Sequence, residues 1–232
     1  MFTECAIKLI NNHIVIDDSQ KILIDTGSPV SFHSSGNLSF GENHFNVHSN
    51  IPSVSSEYLS EKVGCEIDGL MGMDIINRFS TLISLKDKWM FIDDDAVYQS
   101  HLQMFPIDGL TGGLLAITIY VNHQKANMIV DTGAPISYIQ SEFLTNMETD
   151  CVMDDFSPFI GNFQTKTCLC EVDVFEGYTN QRTYVQRFGV PPKIFSQILD
   201  TLNVNGIIGV DLFKRFRLQI REGIIYFPPQ GI

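Results

Sequence analysis

Apolar residues along the chain fall in short runs separated by polar turns, the pattern of strands rather than of long helices. Ile22–Leu23–Ile24 and Met128–Ile129–Val130 are unbroken apolar triplets, as expected of strands anchored in a core. Leu114–Val121 alternates loosely, Asn122–His123–Gln124–Lys125 supplies a turn, and Ala126–Val130 follows. Two more pairs read as hairpins. They are Thr81–Leu85 with Trp89–Ile92 across Lys86–Asp87–Lys88, and Arg217–Ile220 with Ile224–Phe227 across Glu222–Gly223. Helical pattern is confined to stretches near 55–63, 74–78, 141–147 and 193–202, the third opening at Ser141 with Glu142 beside it. The expected fold class is all-β with few short helices.

The elements recur in the same order in each half. Residues 22–32 read ILIDTGSPVSF and residues 128–138 read MIVDTGAPISY, with Asp, Thr, Gly, Pro and Ser shared and the other positions chemically alike. Further on, 69–79 (GLMGMDIINRF) matches 206–216 (GIIGVDLFKRF). Gly69, Gly72, Asp74, Arg78 and Phe79 recur there as Gly206, Gly209, Asp211, Arg215 and Phe216. Each half runs apolar strand, Asp-Thr-Gly, variable stretch, Gly-apolar-apolar-Gly, strand pair. This predicts an N-terminal lobe over 1–95, a linker over 96–109 containing Pro106 and Gly109, and a C-terminal lobe over 110–232.

Two copies of Asp-Thr-Gly related by a pseudo-two-fold axis would bring Asp25 and Asp131 face to face. Two carboxyls in one site cannot both ionise cheaply, so one keeps a proton. The charged member can then act as general base on a water, and the protonated member can polarise a carbonyl. Gly27 and Gly133, with no Cβ, let the backbone turn tightly beside the carboxylates. Thr26 and Thr132 each offer a hydroxyl to the backbone of the opposite loop.

On these residues the chain resembles retropepsin-like aspartic proteases, within the wider pepsin-related group. Both Asp-Thr-Gly triplets carry the likeness, with Leu70–Met71–Gly72 and Ile207–Ile208–Gly209 downstream. The resemblance implies two β-barrel lobes of retropepsin size in one chain, with a cleft between them for an extended peptide. It implies hydrolysis by catalytic Asp25 and Asp131, supported by Thr26, Gly27, Ser28, Thr132, Gly133 and Ala134. No cofactor or metal is expected.

The halves differ in length. Gly69 follows Asp25 by 44 residues, whereas Gly206 follows Asp131 by 75. Phe40–Pro52 aligns with Phe175–Pro191, so the extra chain falls near 145–172. Gly161–Asn162 between apolar residues, with an alternating run after it, signals a hairpin. By the resemblance, residues 157–174 form a substrate-covering flap with Phe159, Ile160, Gly161, Asn162 and Phe163 at its tip, and the first lobe lacks one. The halves also differ beside the carboxylates, where Ser28 stands opposite Ala134. A hydroxyl donating to Asp25 would make Asp25 the charged member and leave the proton on Asp131.

A net charge of −12 repels phosphate backbones, which argues against nucleic acid as a partner. No apolar run is long enough to span a bilayer, and the first residues lack a signal-peptide pattern. Five cysteines, an odd number, suggest reduced thiols in a cytoplasm. Both half-sites in one chain suggest a monomer acting on a peptide or protein substrate. Cys168 and Cys170 read as strand thiols, and His44 with His48 lacks the partners of a zinc motif. Asp74 and Asp211 are expected as helix caps, Arg78 and Arg215 in ion pairs, and Trp89 in a core or interface. The competing function is a peptide- or protein-binding module that holds its ligand without cutting it.

Overall fold

The computed structural model describes residues 2–93, 113–145, 147–158, 160–176, 180–215, 217–221 and 224–226. The expected linker, Phe159, Phe216 and the Glu222–Gly223 turn lie outside the described residues. The first half runs β1 (Phe2–Ile10), β2 (His13–Asp17), β3 (Lys21–Ile24), β4 (Phe32–His33), β5 (Asn37–Phe40) and β6 (Asn43–Asn46). Then come α1 (Ser56–Val63), β7 (Gly69–Met71), α2 (Met73–Ile76), β8 (Ser80–Ser84) and β9 (Trp89–Asp93). The second half runs β10 (Ala116–Val121), β11 (Gln124–Val130), β12 (Ser137–Ile139), a 3-10 turn (Ser141–Leu144), β13 (Cys151–Ser157) and β14 (Gly161–Glu176). It continues with β15 (Asn180–Gly189), α3 (Lys193–Thr201), β16 (Gly206–Ile208), α4 (Val210–Phe213), β17 (Leu218–Arg221) and β18 (Ile224–Tyr226). The fold is all-β and two-lobed.

The sequence repeat becomes a repeat of register. β3 pairs in parallel with β7, with Ile22, Leu23 and Ile24 opposite Gly69, Leu70 and Met71. β11 pairs in parallel with β16, with Met128, Ile129 and Val130 opposite Gly206, Ile207 and Ile208. β4 and β12 then pair antiparallel to β7 and β16 from the other side. Each Asp-Thr-Gly therefore leaves a strand whose two neighbours fix its direction. Successive residues of these strands enter different cores, which is why the runs are continuous rather than alternating. Ile22 and Ile24 pack in a large cluster shared by both halves, while Leu23 joins Phe32, Leu59, Val63 and Leu70 beneath α1. In the second half Ile129 and Ile207 pack with Leu199 beneath α3.

Helix α1 is stopped at both ends by local chemistry. The Ser55 hydroxyl accepts the Tyr58 N–H at the start, and Gly64 ends the helix in the left-handed conformation at φ +80°. The stretch expected as a helix over 141–147 shortens to the 3-10 turn, because Thr145 takes an extended backbone at ψ 128°.

The strand pair at the end of the chain does not stay with the second half. β17 pairs antiparallel with β8, giving a nine-stranded sheet in the order β18-β17-β8-β9-β1-β2-β3-β7-β4. Trp89 lies at this junction, with the Arg217 guanidinium 5.4 Å from its ring centre. The other large sheet has the order β10-β11-β16-β12-β15-β14-β13, which leaves β13 at its outer edge.

Candidate active site

Asp25 and Asp131 stand directly after β3 and β11, each tied by its N–H to the neighbouring parallel strand: Asp25 to the Met71 carbonyl at 3.0 Å, Asp131 to Ile208 at 2.9 Å. The two loops are then locked across the lobes. The Thr26 hydroxyl donates to the Val130 carbonyl at 2.8 Å and accepts the Thr132 N–H at 2.9 Å. The Thr132 hydroxyl donates to Ile24 at 2.8 Å and accepts the Thr26 N–H at 3.0 Å. Both threonines are fully buried. A Cβ on Gly27 would collide with the Asp131 carboxyl, and one on Gly133 with that of Asp25. Glycine is thus required here for close approach of the loops.

The carboxyls are half-buried and close enough to share a hydrogen bond. Gly27 N–H donates to Asp25 at 2.8 Å; Gly133 and Ala134 N–H donate to Asp131 at 2.8 and 3.1 Å. Burial, then the Asp131 charge and its hydrogen bond, hold the Asp25 proton on well above the ordinary carboxylate range. Burial also raises Asp131, but the hydrogen bond from Asp25 and backbone N–H groups from both loops, Gly27 included, oppose it. The pair therefore holds a proton above the ordinary carboxylate range. The Ser28 hydroxyl does not take the part expected of it. It donates to the Val30 carbonyl at 2.8 Å instead of to Asp25, so the side chain supplies no support for a charged Asp25.

Asp74 and Asp211 do not cap helices with their side chains. The residues at the N-caps of α2 and α4 are Gly72 and Gly209, neither with a side-chain cap. The carboxylates instead receive the hydroxyls of Ser31 (2.5 Å) and Ser137 (2.7 Å), and those hydroxyls accept the Gly72 and Gly209 N–H groups. The serine that ends each repeated motif is thereby bound to the second repeated element. Arg78 and Arg215 reach backbone carbonyls, of Asp74 and Val185, and lie over the rings of Phe45 and Tyr184 in place of the expected ion pairs. All five cysteines are free, with Cys168 and Cys170 buried on β14.

The extra length of the second half forms a hairpin of β13 and β14, paired from Cys151↔Thr167 to Ser157↔Gly161. Its first arm begins six residues before the expected start at 157, because polar Asp154 and Asp155 interrupt the apolar pattern of that strand. Ile160 lies in the turn and Gly161 is exposed at φ +75°. The hairpin crosses to the first lobe: Lys62 Nζ of α1 donates to Asn162 Oδ1 at 3.0 Å and sits 5.6 and 5.9 Å from the ring centres of Tyr58 and Phe156. Beneath it the Tyr138 hydroxyl donates to Asp155, whose other oxygen accepts the Phe156 N–H. Phe163 packs against Tyr138, with ring centres 6.2 Å apart. Burial raises Asp155, and the nearby Asp131 charge adds to that.

A cleft of about 530 Å³ lies between hairpin and lobes, lined by Asn11, Asn12, His13, Lys62, Pro135, Ile136 and the arm Met153–Phe156. His13, Tyr58, Lys62, Tyr138, Asp155 and Phe156 were not singled out from sequence. For Tyr138 a signal existed, since it follows Asp131 at the spacing by which Phe32 follows Asp25.

No protein-family model and no curated protein match the chain. Solved structures do. Basic 7S globulin from soybean superposes with a TM-score of 0.51 at 10% identity, covering 97% of this chain and 94% of that one. The two share a fold. A retropepsin-like aspartic protease from Rickettsia conorii aligns with 57% of this chain and 95% of its own, at 16% identity and TM-score 0.35. The EIAV protease, complexed with the inhibitor HBY-793, aligns with 43% of this chain and 84% of its own, at 16% identity and TM-score 0.30. Fold and geometry together define an all-β, two-lobed architecture. Among the described residues no helix is long and apolar enough to cross a membrane.

Proposed function

We propose that the chain is an aspartic endopeptidase that hydrolyses peptide bonds in extended polypeptides. One observation carries this reading: two recessed carboxyls, one per lobe, share a hydrogen bond and are held by reciprocal threonine contacts. In this reading charged Asp131 takes a proton from a water as its oxygen bonds to the peptide carbonyl carbon. Asp25 donates its proton toward the developing oxyanion. Collapse of the tetrahedral intermediate returns a hydroxyl proton to Asp25 and breaks the C–N bond, with the proton on Asp131 passing to the leaving nitrogen. Neither a nucleophilic side chain nor a covalent intermediate is involved. The substrate is a peptide or protein lying beneath the β13–β14 hairpin, and one chain supplies both half-sites, so a monomer suffices.

The test is digestion of a peptide library from about pH 3 to about pH 8, with Asp25→Asn and Asp131→Asn as controls. Cleavage by the native chain, abolished in both variants, supports the reading. Cleavage that survives both substitutions overturns it. A second reading, a module that binds peptides without cutting, draws on the hairpin being fastened to α1. Binding without cleavage at any pH would select that one.

A further inference from the structure

The seventh residue after each Asp-Thr-Gly aspartate is aromatic, Phe32 in the first half and Tyr138 in the second. Both rings are buried, and both residues pair antiparallel with the repeated glycine strand, Phe32 opposite Leu70 and Tyr138 opposite Ile207. They differ by one hydroxyl. The half that has it is the half with the β13–β14 hairpin, and the hydroxyl donates to Asp155 Oδ2 of that hairpin. Among the described residues the first half has no such hairpin. Its β5–β6 pair has strands of four residues each.

Asp155 is an unexpected residue for its place. It stands opposite Phe163 across the hairpin and shares a face with Met153, two positions before it. Met153 and Phe163 pack on the apolar cluster that holds Tyr138 and Leu199. A carboxyl on such a face costs stability, and a hydroxyl partner returns only part of that cost. An apolar pair of similar shape would hold the hairpin at least as well. What the polar pair adds is direction. With Oδ2 fixed by Tyr138, Oδ1 is presented to the Phe156 N–H, 2.7 Å away. Phe156 lines the cleft and reaches the first lobe, its ring centre 6.1 Å from that of Tyr58 and 5.9 Å from that of His13. Two hydrogen bonds thus link Tyr138 to a residue that spans the lobes. We infer that Tyr138 and Asp155 are positioning residues, which act through the Phe156 N–H to set where Phe156 stands over the cleft and so how firmly a peptide is held. Their effect on the hairpin is independent of the proposed function, and their effect on a peptide rests on it.

Two variants separate positioning from stability alone. Tyr138→Phe strips the donor and leaves the Asp155 carboxyl on an apolar face, so the urea midpoint should fall and KM should rise. Tyr138→Phe combined with Asp155→Leu removes both polar groups and should bring the midpoint back to the native value or above it. If the pair positions Phe156, KM stays raised about tenfold in the double variant, with kcat changed less. If the pair serves only stability, KM recovers with the midpoint, which overturns the inference. A second readout needs no substrate and works in the double variant even where Tyr138→Phe fails to fold. The nuclear Overhauser contact between the rings of Phe156 and Tyr58 should be lost when the pair is removed, and its retention at native strength overturns the inference. A native chain that neither cuts nor binds peptide removes the proposed function and leaves the ring contact to decide on the pair. A native chain that cuts or binds peptide, with a double variant that does so at native KM or Kd, removes this inference alone.

Discussion

Thr26 and Thr132 grip each other's loops: each hydroxyl accepts the other threonine's N–H and donates to the carbonyl two residues before it. Because the contacts are buried and reciprocal, removing one hydroxyl strands an N–H and a carbonyl on the opposite lobe. Thr26→Val and Thr132→Val should each cost about 2–4 kcal/mol by denaturant unfolding and most of any peptidase activity. Thr→Ser at either position keeps the oxygen and should cost less than about 1.5 kcal/mol. Val variants as stable as the Ser variants would show that the grip does not hold the loops.

The raised carboxyls set a pH dependence whose sign can be worked out. Asp25 is raised well above its unfolded value by burial and by Asp131, so its contribution to stability is fully present below about pH 4. It is lost as pH rises through the folded-state value. Asp155 and Asp211, also raised by burial, act in the same direction. Asp25→Asn should flatten the decline in unfolding midpoint between mildly acidic and neutral pH. Peptidase activity should fall on the alkaline side as the shared proton leaves Asp25. A native chain whose stability climbs steadily to neutral pH, with the Asn variant following in parallel, would contradict the assignment.

Much of this arrangement is legible in the sequence because it is written twice. Two Asp-Thr-Gly triplets behind apolar strands, each followed by Gly-apolar-apolar-Gly, require matching parallel registers, and β3–β7 and β11–β16 have them. What occurs once is harder to read. His13 follows an ordinary polar turn, and only folding sets it near Gly133, far along the chain. The expected Ser28 contact fails for a local reason, since its hydroxyl turns to the Val30 carbonyl two residues on and not to Asp25. Asp74 and Asp211 look like caps because they open short helices, but their oxygens receive the Ser31 and Ser137 hydroxyls, which in turn accept the buried Gly72 and Gly209 N–H groups.

That last pair should respond unequally to mutation. Asp211 is partly buried and receives the Ser137 hydroxyl, the Gln186 amide and the Leu212 N–H. Asp74 receives the Ser31 hydroxyl but is exposed. Asp211→Ala leaves several polar groups without partners and should destabilise by about 3 kcal/mol, against about 1 kcal/mol for Asp74→Ala. Urea midpoints measure both, and equal losses would mean that solvent replaces the Asp211 contacts as readily as those of Asp74.

Lys62 is the polar anchor of the hairpin on the first lobe, beside the ring contacts of Phe156 with His13 and Tyr58. Its ammonium is held by Asn162 and Glu61, each at 3.0 Å, and lies near two aromatic rings, with the side chain 15% exposed. Contacts of this kind are worth about 1 kcal/mol, enough to shift a hinged hairpin several-fold but not to unfold a lobe. Lys62→Met keeps the stem packed against Phe156 and removes the charge. Backbone amides of Cys151–Ser157 that pair with β14 should then exchange roughly fivefold faster with solvent, while the global unfolding midpoint stays within about 0.5 kcal/mol. Under the proposed function KM should rise more than kcat falls, since a hairpin that opens more often holds peptide less well. Unchanged exchange in β13 would show that the hairpin is closed by its packing on Tyr138 and not by Lys62.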